Sequence, residues 1–103
     1  MTDKELLELA AKAFGITGIV MSNDYGVYWN EFPDYPGETF NLCWNPLEDD
    51  GQALRLAVKL KIDYLYEMNM PYQKDILKLF ETEPYIATRR AIVLAAAEIG
   101  KSL

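Results

Sequence analysis

Glu48-Asp49-Asp50-Gly51 is the densest run of oxygen ligands in the chain, and a hard cation is the first chemistry it suggests. A calcium loop places its ligands at alternate positions and ends on a bidentate acid, which this run does not provide. The acids precede an amphipathic run, where negative charge complements the positive end of a helix dipole. Cys43 is the single cysteine, and histidine is absent. Without an imidazole no Ser-His or Cys-His nucleophile can be assembled, and the commonest zinc ligand is missing. Cys43, in a strand-like run beside Trp44, therefore reads as a buried structural thiol. Arg89 and Arg90 are adjacent in a helical run and point about 100° apart. The expectation is one arginine paired with Glu83 or another acid and the other in solvent. A phosphate site needs a third donor, and the sequence offers none. No residue is assigned a catalytic, cofactor or metal role.

Recognition is the chemistry left. The formal net charge of −6 is unevenly spread. Residues 1–50 carry ten acids against Lys4 and Lys12, a net of −8, whereas residues 51–103 carry six acids and eight bases, a net of +2. Between Ala13 and Leu54 there are seven acids and no Lys or Arg. Such a segment repels phosphate, so direct nucleic-acid binding is not expected, while a basic protein surface suits it. Tyr25, Tyr28, Trp29, Phe32, Tyr35, Phe40 and Trp44 crowd the same segment. Most read as core or cross-strand packing, since each buries a large area. Tyr25 at a turn and Tyr35 between two prolines are harder to bury, and aromatics on protruding loops among acids are typical of protein-binding surfaces. The partner-binding set read from this pattern is Asp24, Tyr25, Trp29, Glu31, Asp34, Tyr35 and Glu38. The plainer reading of the same charges is a solvated face that keeps a small protein soluble.

These residues must be positioned by regular elements. Thr2 and Glu5 form a T-x-x-E capping box for a helix over Asp3 to Phe14, with Leu6, Leu9, Ala10, Ala13 and Phe14 inward, Leu7 at the edge and Gly15 as a left-handed stop. Strand-like runs at Ile16 to Met21 and Val27 to Phe32 predict a β-hairpin with its tip at Asn23-Asp24. Pro33 to Gly37 is a loop, and Thr39 to Cys43 a third strand. Asn45 is the expected cap and Pro46 the first residue of a central helix reaching Ile62, its inner stripe Leu54, Ala57, Val58 and Lys61. Ile62 to Met68 alternates as a fourth strand, and Asp75 to Phe80 reads as a returning fifth. Pro84 opens a last helix to about Ile99, with Gly100 as its stop and Ala87, Ala91, Leu94, Ala95 and Ile99 inward.

The order α-β-β-β-α-β-β-α predicts a single α+β domain over residues 1–103, an antiparallel β-sheet packed with about three helices. A chain of 103 residues buries roughly two-thirds of its unfolded surface, enough for one modest core. No apolar run approaches the ~20 residues that span a bilayer, and the acids of Met1 to Phe14 rule against a signal peptide. One cysteine excludes an internal disulfide, so a cytoplasmic location without membrane contact is expected.

Trp44-Asn45-Pro46-Leu47, the Asp-Gly-Gln-Ala-Leu-Arg-Leu-Ala run of residues 50–57 and the Ala-Thr-Arg-Arg-Ala-Ile-Val run of residues 87–93 resemble the NinX-like group of small phage and prophage proteins. The resemblance spans residues 44–62 and 84–101, and more loosely 1–14. The group brings no known catalytic residues, and none are transferred. It implies a phage-borne accessory protein made inside a bacterium. Taken with the charge, it points to a non-enzymatic inhibitor of a basic host protein. Counter-defence against a CRISPR effector, by partial DNA mimicry, is one such role. The alternative is a small-molecule or nucleotide-binding protein, as a homodimer with its pocket at the subunit boundary.

Overall fold

Thr2 Oγ1 accepts a hydrogen bond from Glu5 N at 3.2 Å, and Gly15, at φ 100°, closes the helix that Thr2 opens. In the computed structural model, which describes residues 1–16, 18–31, 39–63 and 74–103 (20, 29–31 and 39–42 by backbone alone), this helix is α1, Asp3–Phe14. Strands β1 (Ile19–Asn23), β2 (Gly26–Glu31) and β3 (Thr39–Trp44) follow, then helices α2 (Asp50–Leu60), α3 (Lys74–Phe80) and α4 (Pro84–Lys101). The strands pair antiparallel in the order β1-β2-β3. The chain is thus α+β, as the run of strands between helices predicts. No helix among the described residues is long and apolar enough to cross a membrane.

α1, α2 and α3 all pack against α4. Its alanines 87, 91, 96 and 97 are buried and let neighbouring backbones come close. Arg90 meets Asp3 at 3.2 Å near the start of α1, and Lys12 Nζ donates to Leu103 O at 3.1 Å near its end. The two helices therefore run in the same direction. Between these contacts, a Cβ added at Gly100 would lie 2.1 Å from Leu9 O. Gly100 is required by space, inside a helix that continues to Lys101, and is not the expected stop. α1 buries Leu6, Leu7, Ala10 and Ala11, so Leu7 is interior rather than an edge residue, while Phe14 is half-buried. Phe14 stacks on Trp44 with ring centroids 5.5 Å apart, and Lys59 Nζ lies 4.5 Å from the Phe14 centroid. That ammonium also donates to Phe14 O, a carbonyl at the negative end of α1.

α2 departs from the sequence pattern at its start and in its phase. Its cap is Asp49, whose side chain accepts from Gln52 N at 2.8 Å, not Asn45. Asn45 Oδ1 is taken by Leu47 N at 3.0 Å, which closes a separate turn over residues 46–48 before the helix can begin. The buried face carries Ala53, Leu56 and Ala57, while Leu54 and Val58 are 62% and 69% exposed. The helix is rotated by about one residue, or 100°, from the expected stripe. α2 ends in a Schellman motif, Ile62 N donating to Ala57 O at 2.9 Å and Lys61 N to Val58 O at 3.3 Å, with Lys61 left-handed at φ 57°.

The expected fifth strand is helical. Ile76 and Leu79 both pack toward Ala87 and Ala91, and a spacing of three shares a face in a helix but not in a strand. Ile62 and Asp63 are not in a strand, and residues 64–68 of the expected fourth strand lie outside the described residues.

Candidate partner-binding surface

Asn45 joins the hairpin, the turn after β3 and α2. Its Nδ2 donates to Tyr25 O at 2.7 Å and its Oδ1 accepts from Leu47 N. Its backbone N donates to Gln52 Oε1 at 2.6 Å, and its carbonyl accepts from Glu48 N and Asp49 N. At 7% exposure, it is a buried polar residue whose polar atoms are all used, as burial demands. Gln52 Nε2 extends the network to Cys43 O at 3.3 Å.

On the hairpin side, Tyr25 N donates to Asn23 Oδ1 at 2.8 Å, and Tyr25 O also accepts from Cys43 Sγ at 3.5 Å. Asp24 Oδ1 accepts from Lys4 N at 3.3 Å, filling an unpaired donor in the first turn of α1. Asn23 pairs with Gly26, so the tip is Asp24-Tyr25, one residue later than expected. Gly26 has φ 145°, and a Cβ there would meet Cys43 Sγ at 2.6 Å. The turn is therefore fixed from both sides, yet the Tyr25 residue it carries is 77% exposed.

Beside it lies a recess of about 540 Å³ lined by Asp24, Tyr25, Cys43, Asn45, Glu48, Asp49 and Gln52. Three of these residues are carboxylates and none is a cation. Among the described residues, no three acid or thiol groups are placed to hold a metal ion. Cys43 is exposed on the recess, contrary to the buried thiol expected, because it alternates along β3 with the buried Trp44 and so faces away from the core. It sits opposite Tyr28 in the β2–β3 register and raises the Tyr28 pKa above 10.0, by hydrogen bonding first and then by charge. Both arginines are paired, against the expectation that one faces solvent. Arg89 holds Asp50 at 2.6 Å and Leu47 O at 2.8 Å, and Arg90 holds Asp3.

Of the seven residues read as a binding set, Asp24 and Tyr25 are brought together at the recess. Trp29 and Glu31 lie along β2, opposite Leu42 and Thr39. At ~3.4 Å per residue, Glu31 is roughly 17 Å along the strand from Gly26 and belongs to a different part of the sheet. Asp34, Tyr35 and Glu38 lie outside the described residues. Glu48, Asp49 and Cys43 were not in the set. The acidic pair could have been found from its position in the same lysine-free segment. No protein-family model, curated protein or solved structure matches the chain.

Proposed function

We propose that the chain is a non-enzymatic binding protein whose Asp24-Tyr25 turn and Glu48-Asp49 loop engage a basic protein surface. One observation carries the reading. An exposed tyrosine stands on a hydrogen-bonded turn beside a recess lined by three carboxylates and no cation. An aromatic anchor ordered before binding loses little conformational entropy on docking, and the carboxylates would steer a cationic partner toward it. The NinX-like resemblance of residues 44–62 supplies the context of this proposal: a phage accessory protein that inhibits a bacterial host protein, including a nucleic-acid-binding defence machine. A small-molecule role has one feature in its favour, an apolar groove between α2 and α4. A nucleotide is poorly served there, because Arg89 is already held by Asp50 and Leu47 O.

The test compares immobilised wild type with Tyr25→Ala and Glu48→Lys in host lysate, followed by titration of the retained protein. Both substitutions are at exposed positions and leave the melt within a few degrees of wild type. Tyr25→Ala weakens binding by ~1–3 kcal/mol, and Glu48→Lys slows association in a salt-dependent way. A partner retained equally by all three proteins overturns the reading.

A further inference from the structure

The groove between α2 and α4 has a volume of about 540 Å³, and its lining includes Asp50, Leu54, Val58, Lys61, Tyr85 and Ile92. It lies on the far side of α2 from the acidic recess, since Gln52 and Leu54 point about 160° apart. Leu54, Val58 and Tyr85 are largely exposed here, so apolar side chains line a groove that is open to solvent. The geometry points to a second copy of this chain as the occupant, packed by an antiparallel α2–α2 contact about a two-fold axis.

The argument is self-complementarity. Asp50, Leu54, Val58 and Lys61 all lie within about 40° of one line down the helix, and Asp50 and Lys61 are roughly 16 Å apart along it. A two-fold axis crossing that line midway between Leu54 and Val58 sets each leucine against the partner's valine. The midpoint of Asp50 and Lys61 falls within about half a residue of the same place. A single axis therefore satisfies the apolar pair and the charged pair together, as an isologous contact requires. Asp50 remains exposed despite its bond to Arg89, and Lys61 has no acidic partner among the described residues. The remaining bases of α2, Arg55 and Lys59, sit about 100° and 140° from the line and stay out of the seam. The helix dipoles oppose each other in this arrangement, so each basic end meets an acidic one. Lys61 occupies the left-handed position where glycine is usual, which adds a cation at the end of the seam.

Sedimentation of the full chain up to about 1 mM reads the association directly, since a Kd at that concentration is within reach. Wild type forms a dimer, and Val58→Asp raises its Kd at least ~tenfold while circular dichroism stays unchanged. The orientation is tested by charge reversal. Lys61→Glu and Asp50→Lys each place like charges in the seam and are monomeric alone. Mixed in equal amounts they form a heterodimer, because both contacts are then complementary. A merely structural role for Asp50 or Lys61 is not rescued by mixing. A wild type that stays monomeric up to about 1 mM overturns the proposal. So does a dimer that Val58→Asp leaves intact, or a pair of charge variants that mixing fails to restore.

Discussion

Asn45→Ala separates a junction from a simple helix cap. A cap lost at the start of a helix costs about 1 kcal/mol. Here the side chain makes two bonds, Nδ2 to Tyr25 O at 2.7 Å and Leu47 N to Oδ1 at 3.0 Å. Each contributes about 1 kcal/mol net. The two groups left behind then differ, since Tyr25 O keeps the Cys43 Sγ donor. Tyr25 is exposed, so water can reach its carbonyl, whereas Leu47 is only 9% exposed. An unpaired N–H at that depth adds about 1–3 kcal/mol, giving a loss of roughly 3–5 kcal/mol in all. For a domain of this size that lowers the melting temperature by more than ~10 °C. Asn45→Asp supplies the control. It keeps the acceptor for Leu47 N but turns a carboxylate oxygen toward Tyr25 O beside Asp24, Glu48 and Asp49. It should be as unstable as alanine at neutral pH and recover as pH falls toward ~4, where a protonated acid can donate in place of the amide. Thermal and urea melts at the two pH values read both effects. A loss of 1 kcal/mol or less for Asn45→Ala would refute the junction and return Asn45 to the role of a cap.

Gly100→Ala should destabilise although alanine in a helix interior normally gains about 0.5–1 kcal/mol, because the new Cβ meets the Leu9 backbone and overpacking costs ~1–3 kcal/mol. A variant that melts above wild type contradicts the close α1–α4 approach. Leu54→Ala should change stability by less than about 1 kcal/mol while Leu56→Ala costs ~2–5 kcal/mol, and equal losses in denaturant melts would mean that the phase of α2 is wrong. The hydrogen bond with Cys43 holds the Tyr28 phenol above the ordinary tyrosine value, and Cys43→Ala should move its phenolate absorbance to lower pH, read against Tyr28→Phe as the blank. Folding raises this pKa, so the folded state holds the proton more tightly. The stability from that shift is present below 10.0 and is lost as pH climbs through the higher folded-state value.

Local chemistry was legible in the sequence wherever one residue decided the outcome. The Thr2 cap, the Gly15 stop and the hairpin around Asn23 to Gly26 each need only their own neighbours. The start of α2 was ambiguous because two caps compete. Asn45 is followed by proline, but Asp49 and Gln52 have the same spacing as a capping box, and the Asn45 side chain is consumed by its own turn. The phase of α2 was hidden by its composition. Leu54 and Val58 make one apolar stripe and Ala53, Leu56 and Leu60 another, so periodicity alone cannot choose. The choice is made by long-range contacts, Lys59 reaching Phe14 O and Arg89 reaching Asp50. Gly100 near a helix end looks like a stop, and only the Leu9 backbone reveals its purpose. Half of the acidic recess was legible in the Asp24-Tyr25 turn. The other half depends on the pairing of Tyr28 with Cys43, a register between residues 15 apart that no local sequence signal fixes in advance.

The polarity of α2 links the two proposed surfaces. Gln52 ties one side of its first turn to Asn45 and the end of β3, while Leu54 and Val58 line the opposite side. A second copy docked on the Leu54 side leaves both acidic recesses open, so a dimer would present two copies of the Tyr25 anchor. Against a partner with two basic sites the second contact becomes intramolecular, and avidity can exceed single-site affinity by ~10²–10⁴ when both sites can be spanned. Val58→Asp distinguishes this from an independent pair of sites, since it removes the dimer contact without touching the recess. On a sparsely coated surface, where each partner site binds alone, the variant should match wild type. On a densely coated surface wild type should dissociate far more slowly. Equal dissociation on both surfaces means that dimerisation, if present, holds the two Tyr25 turns where one partner cannot reach both. A variant that is weaker even on the sparse surface means that the α2 groove itself touches the partner, and the two faces of the helix are then one site.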